Sequence, residues 1–222
     1  LDDPRIWAEL LRQDSTLHAV CALGRRASAI TLDLRDQASI ERAFAEAVQT
    51  FGAIDVLANS AGIALRRSAL EVTRPEWDEA IGVMLSGTFF MSQQMGRYLV
   101  AAGRTGSIVS LASTHGLVGF PDRSTYGIAK GGIIQMTRML AIEWAGHGIR
   151  VNAVAPGTVE TPSRKAHFAA DPAARQRMLA RIPSGRFGLP EEVAAAVSYL
   201  VSPDGAYVTG QTLVLDGGLT AA

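Results

Sequence analysis

Residues 106–157 read GSIVSLASTHGLVGFPDRSTYGIAKGGIIQMTRMLAIEWAGHGIRVNAVAPG, and their pattern decides the fold. The run Gly106-Ser107-Ile108-Val109-Ser110-Leu111 is short and mostly apolar, as a strand buried on both faces is. A helix from Ser124 to Trp144 follows, ended by Gly146 and Gly148. Then Arg150-Val151-Asn152-Ala153-Val154-Ala155 reads as a second strand, broken by Pro156-Gly157. Short apolar runs alternating with longer amphipathic stretches are the signature of a parallel sheet with crossover helices.

The same alternation extends in both directions. Ala29-Ile30-Thr31-Leu32-Asp33-Leu34 reads as a strand, and Ser39 to Phe51 as a helix with Ile40, Phe44, Ala47, Val48 and Phe51 on one face. Gly52 stops that helix, and Ile54 to Ala58 is the next strand. Pro75 opens a long helix, Glu76 to about Val100, closed by Gly103. Gly24 reads as the end of a helix, and Pro4 to Gln13 also looks helical. Downstream, residues 158–190 are rich in polar and breaker residues, with one helical piece around Ala173 to Arg181. Pro190 starts a helix through Leu200, Gly205 to Gly210 is a turn, and Thr212 to Leu215 is a last strand at a sheet edge. With no repeat and no linker, residues 1–222 are read as one domain, which their number fits.

The bulk numbers exclude several classes. Hydrophobic residues make up 48% and charged residues 19%, which is ordinary for a globular domain. Lys+Arg and Asp+Glu both total 21, so no global field draws in nucleic acid. The sole cysteine, Cys21, excludes an internal disulfide framework and fits a reducing cytoplasm. No apolar stretch is long enough for a membrane span, and the opening acids Asp2 and Asp3 do not suit a signal peptide. No metal is expected, because His18, His147 and His167 are scattered without ligand spacing. Met91, Met95, Met136 and Met139 fall at helical spacing and read as core packing.

The chemistry concentrates in Tyr126-Gly127-Ile128-Ala129-Lys130. Positions i and i+4 share a helix face, so a phenol and an ammonium can serve one site. A phenol titrates near pH 10 in water, and a neighbouring cation favours its charged form. A bare Tyr-x-x-x-Lys recurs by chance in many helices, but here Ser113 lies thirteen residues earlier, just past a strand. Active sites of open parallel sheets lie beyond the carboxyl ends of strands. His115 beside Ser113 could be read as half of a hydrolase pair, yet no Gly-x-Ser-x-Gly elbow surrounds the serine.

Together with Asp55-Val56-Leu57-Ala58-Asn59-Ser60-Ala61-Gly62, the Gly148–Gly157 segment, Gly185–Ala194 and Asp216-Gly217-Gly218, these motifs resemble the short-chain dehydrogenase/reductase family. The resemblance covers roughly residue 19 to the C-terminus. It implies an α/β, doubly wound parallel sheet (Rossmann-like, three layers α/β/α) and hydride transfer between NAD or NADP and a secondary alcohol or ketone. Tyr126 would be the general acid–base, Lys130 would support it and hold the nicotinamide ribose, and Ser113 would hold the substrate oxygen. Asp33 and Leu34 match the adenine contact. Asn59, Ala61 and Gly62 match the turn under the cofactor, although Asn59 could equally pin the sheet. Pro156, Gly157, Val159 and Thr161 match the segment that cradles the nicotinamide and pyrophosphate.

Two departures stand out. The family opens with a strand, a glycine-rich turn, a helix and a second strand that hold the pyrophosphate, and the only glycine here before residue 52 is Gly24. Either those segments precede the residues given, or flexible residues are missing, or the protein never bound a dinucleotide. Missing residues rank first, because every other cofactor-contacting segment is intact. The position that sorts NAD from NADP goes with them, so both stay open. The second departure is Met84, where the family usually has an Asn that supports a relay water; a thioether is a weak acceptor and donates nothing. The expectation is therefore a cytoplasmic oxidoreductase with a small-molecule substrate, assembled as a homotetramer or homodimer through its long helices and last strand. A non-catalytic family member that has lost cofactor binding is the alternative.

Overall fold

A computed structural model describes residues 16–63 and 65–221; the helix expected over Pro4 to Gln13 lies outside them. Among the described residues helix α1 (Thr16–Ala22) comes first and ends before Gly24, whose φ of 71° only glycine adopts at low cost. Helix α2 (Gln37–Phe51) is capped by Asp36, whose carboxylate accepts from the Ala38 amide, and it stops at Gly52. It buries Ile40, Ala43 and Phe44, the face expected from the sequence.

Strand β1 (Val56–Asn59) follows. Helix α3 (Arg74–Ile81) starts with a capping box, Thr73 with Glu76, and Pro75 in its first turn. It runs directly into a π turn over Gly82–Ser86 and then into α4 (Gly87–Ala102), closed by Gly103. The expected long helix is thus present, but with an extra residue wound into it at Met84. Strand β2 (Gly106–Leu111), helix α5 (Ser124–Trp144) and strand β3 (Ile149–Pro156) fall where the opening stretch placed them.

Beyond β3, two helices stand where one was expected, α6 (Pro162–Ala170) and α7 (Pro172–Leu179). Asp171 separates them, ending α6 and accepting from the Ala174 amide to start α7. Each begins on a proline, which sits at no cost in a first helical turn. Helix α8 (Pro190–Val201) and strand β4 (Thr212–Leu215) complete the chain.

The four strands are all parallel in the order β1-β2-β3-β4. Ile108 of β2 sits between Leu57 and Val151 in register. One face packs on α2, α4 and α5 through Phe44, Met95, Leu99, Ile108, Ile133 and Leu140. The other packs on α8, with Val109 and Val154 against Ala196 and Leu200. Successive strand residues serve opposite layers, so β2 and β3 read as continuous apolar runs. This is the doubly wound α/β arrangement expected. Asn152, fully buried in β3, donates to Val208 O and accepts from the Gln211 amide, which ties the turn before β4 to the sheet.

One expected strand is not formed. Residues 29–34 are irregular and end in a turn. A strand exists only as part of a ladder, and the sheet's first strand pairs only with β2 among the described residues. The run 29–34 therefore has local strand propensity without a partner among the described residues. No helix among the described residues is long and apolar enough to cross a membrane.

Candidate active site

All four strands run the same way, so their carboxyl ends gather Ser60, Ala112, Gly157 and Asp216 along one sheet edge. Ser113 leaves β2 in extended backbone and opens a single 3-10 turn, Thr114–Gly116. It is 6% exposed. The turn lies directly on α5. A Cβ on Gly116 would sit 2.7 Å from the Lys130 carbonyl carbon and 2.8 Å from the Gly131 nitrogen, so only glycine lets the two backbones meet. That contact sets the Ser113 loop beside Tyr126 and Lys130.

Lys130 is 4% exposed and donates to Leu111 O at 2.5 Å, at the end of β2. Its ammonium lies 5.7 Å from the centre of the Tyr126 ring. Burial pushes its pKa down to about 8, so it remains mostly cationic at neutral pH. His115 adds a polar neighbour that the motif reading did not assign. Its Nδ1 is 3.2 Å from Ser113 Oγ, and its ring meets that of Tyr126 edge-on at 5.6 Å. Burial, and then Arg123, Arg164 and Arg181, lower its pKa, which favours the neutral ring. No carboxylate orients the other imidazole nitrogen among the described residues, so the pair lacks the third member of a hydrolytic triad.

Two cavities meet at Ser113, Tyr126 and Gly157. One, of about 310 Å³, is lined also by Ser60, Gly62, Leu111, Lys130 and Pro156. The other, of about 680 Å³, opens on the opposite side toward α6 and α7. The smaller one fits the nicotinamide end of a dinucleotide. An ammonium carries three donors, Leu111 O takes one, and the lysine is too buried to spend the rest on bulk water. A Cβ on Gly62 would lie 3.9 Å from Lys130 Nζ, so glycine keeps the space before the ammonium open.

Among the cofactor residues expected from the sequence, Gly62, Tyr126, Lys130, Pro156 and Gly157 converge on that cavity. Asn59 instead donates to Ser92 Oγ and Ser110 Oγ, both at 3.1 Å, and pins α4 to the sheet. Ala61 is exposed beside the cavity. Val159 bridges to Gly188, and Thr161 caps α6. Asp33 and Leu34 lie elsewhere. Hydrogen bonds and charge from Arg35 hold the Asp33 carboxyl well below its usual range, and Leu34 packs on Gly87, where a Cβ would come within 2.6 Å. Met84 is fully buried with Ala80 and Ala129, against Tyr126, and its sulfur faces the same point near Gly62 as Lys130 Nζ.

The sequence reading missed the five arginines of the larger cavity. Their only signal was the density of Arg in residues 158–190, and two of the five come from elsewhere in the chain.

The family model described as enoyl-(acyl carrier protein) reductase matches residues 8–220. The 2-dehydro-3-deoxy-D-gluconate 5-dehydrogenase of Escherichia coli is 37% identical over 97% of this chain and 85% of its own length. The 3-oxoacyl-(acyl-carrier-protein) reductase of Thermotoga maritima is 40% identical over 93% of this chain and 82% of its own. Among solved structures, a gluconate 5-dehydrogenase from Burkholderia cenocepacia in complex with NADP and tartrate superposes with a TM-score of 0.86. It is 32% identical, over 92% of this chain and 80% of that one.

Proposed function

This chain belongs to the short-chain dehydrogenase/reductase family, and from that premise we propose that it is an NAD- or NADP-dependent oxidoreductase interconverting a secondary alcohol and its ketone. The observation that carries the reading is the convergence of Ser113, Tyr126 and Lys130 where two cavities meet. The similar proteins of known activity are dehydrogenases and reductases, and a solved relative holds NADP. Residues 1–222 are taken as a single catalytic domain.

The nicotinamide cofactor, when bound, supplies the hydride acceptor or donor. This chain's residues do the rest. The Ser113 hydroxyl, held by the His115 amide at 3.2 Å, donates to the substrate oxygen and fixes it. Tyr126 passes a proton to that oxygen in reduction and removes it in oxidation. Lys130 stabilises negative charge on the phenol oxygen and would hold the ribose of the cofactor with its remaining donors. Gly62, Pro156 and Gly157 line the smaller cavity and would let the backbone approach the nicotinamide. Ala61, Val159 and Thr161 belong to the segments that would flank it, Asn59 would act indirectly by pinning α4 to the sheet, and Asp33 and Leu34 would lie toward its adenine end.

We further infer a homotetramer, with a homodimer as the smaller alternative, acting in the cytoplasm. The long helices α4 and α5 leave an apolar groove beside Phe89, Val100, Met136, Met139 and Trp144, where Met139 is 50% exposed rather than core. Strand β4 lies at the end of the sheet order and leaves a row of backbone groups open.

Met84 at the relay position favours a second reading, a non-catalytic member of the family. One assay separates them: reduction of NAD+ and of NADP+ by a panel of secondary alcohols, together with titration of cofactor fluorescence. Turnover with either cofactor supports the enzyme. Absence of both turnover and cofactor binding supports the second reading.

A further inference from the structure

The structure assigns the larger cavity to an anion: we infer that the substrate is a small hydroxy or oxo compound carrying a carboxylate or a phosphate ester, bound by Arg123, Arg164 and Arg181. This rests on the dehydrogenase reading and names the substrate class of that same site.

The cavity is lined by five arginines, Arg66, Arg123, Arg164, Arg177 and Arg181, and by a single carboxylate, Asp171. Two of the five have an acidic neighbour: Arg66 lies 3.8 Å from Asp122, and Arg177 lies 3.9 Å from Asp171. The other three form no ion pair among the described residues, although the adjacent Asp122, already beside Arg66, partly offsets the charge around Arg123. Arg123 donates to Leu65 O at 3.0 Å. Arg181 stacks on Phe120 at 4.7 Å, and Arg164 on Phe168 at 5.7 Å. Stacking on a ring orients a guanidinium while leaving its fork of N–H donors free.

These cations share one cavity and act on one another electrostatically. Burial lowers the pKa of Arg123, and Arg164 and Arg66 lower it further, while Arg123, Arg164 and Arg181 all act on His115. Like charges collected in a concave, partly dry site repel, and the field they focus draws in an anion that relieves the repulsion. The chain as a whole carries no net charge, so this concentration is local. It also comes from three separate places: the segment after β1, the start of α5, and the α6–α7 region.

The arginines stand apart from the cavity assigned to the nicotinamide. Lys130, Gly62 and Ser60 line the smaller cavity and not the larger one, and none of the five arginines lines the smaller one. Ser113 and Tyr126 stand between the two. A chain of ring contacts, Arg181 on Phe120, Phe120 against His115 at 4.9 Å and His115 against Tyr126, leads from the cations to the acid–base. A substrate held by its anionic end at the arginines presents its hydroxyl or carbonyl at Ser113 and Tyr126. Fork-shaped guanidinium donors match the paired oxygens of carboxylate and phosphate alike.

The test uses three matched compounds: sorbitol, gluconate and sorbitol 6-phosphate, which are neutral, carboxylate and phosphate. Turnover is measured with whichever nicotinamide is used, and binding of each compound is measured by calorimetry. The inference expects kcat/KM for gluconate or for sorbitol 6-phosphate to exceed that for sorbitol by roughly 10-fold or more, as charge-assisted hydrogen bonds give. The preferred compound identifies the anion. Arg164→Ala with Arg181→Ala should shrink that preference to a few-fold while cofactor fluorescence titrates as in the parent. Equal or better use of sorbitol, or a preference that survives the double variant, overturns the inference and leaves the dehydrogenase reading standing. Absence of turnover on all three and of cofactor binding, with anion binding that the double variant abolishes, overturns the dehydrogenase reading and leaves the anion site standing. Absence of both turnover and anion binding overturns the inference as well.

Discussion

The ammonium of Lys130 donates to the carbonyl oxygen of Leu111, 2.5 Å away at the carboxyl end of β2. This one bond ties the face of α5 that carries Tyr126 and Lys130 to the strand that delivers Ser113. It also holds a charge in a place 4% exposed to solvent, and burial moves the lysine from 10.5 to about 8.

The first prediction follows from that shift. Between pH 8 and 10.5 the unfolded chain keeps a proton that the folded chain has released, so stability rises with pH across this window. Below pH 8 both states are charged and the full cost of burying the cation is carried. From pH 8 to pH 10 the parent should gain about 2 kcal/mol relative to Lys130→Met. Urea unfolding of both proteins at the two pH values measures this. A difference that does not change with pH would show that the ammonium is better solvated than its burial implies.

Tyr126→Phe removes the proton carrier and keeps the ring against Met84 and His115. Turnover should fall by about 10² or more, the loss general acid–base catalysis implies, with the melting temperature nearly unchanged. Steady-state kinetics and thermal unfolding read the two quantities. A rate within a few-fold of the parent assigns the proton to another group.

Met84→Asn puts an amide back among Ala80, Ala129 and Tyr126, beside the point that Lys130 Nζ also faces. Turnover should rise through restored water relay, and stability should drop by about 1–3 kcal/mol for the buried amide. The Met84 carbonyl already accepts from Thr88 Oγ1 at 2.8 Å, so the backbone offers the water less than the amide would. An unchanged rate and an unchanged pH–rate profile would dismiss the relay argument.

Gly116→Ala drives a Cβ to within 2.7 Å of the α5 backbone, where no flexible side chain can yield. The loop carrying Ser113 must lift. A stability loss of about 1–3 kcal/mol is expected, with turnover falling more than cofactor affinity. Parent-like stability would mean that the turn does not rest on α5 in solution.

Met139→Glu places a charge in the apolar groove between α4 and α5. Light scattering of the parent at micromolar concentration should give a tetramer mass, and the variant should fall to a dimer joined through another face. A monomer mass for the parent contradicts the reading of both faces.

The sequence alone determined the α/β class, because β2, α5 and β3 carry their own punctuation: apolar runs of strand length, a long 3.6-residue period, and glycines 103, 146 and 148 at the stops. It also placed Tyr126 and Lys130 on one face, since helix geometry alone brings i and i+4 together. Other features were decided only in three dimensions. Residues 29–34 have strand propensity, yet a ladder partner, which no local pattern supplies, is missing among the described residues. The π turn at Met84 leaves no mark on the hydrophobic period. The split of α6 from α7 turned on Asp171 capping both ends, a choice between two hydrogen-bond patterns open to the same residues. Arg123, Arg164 and Arg181 lie up to 58 residues apart in the chain and share a cavity only because parallel strands bring every following loop to the same sheet edge. Short-range order is written in periodicity and caps; charges that meet across the sheet depend on strand order, which is fixed by packing on both faces at once.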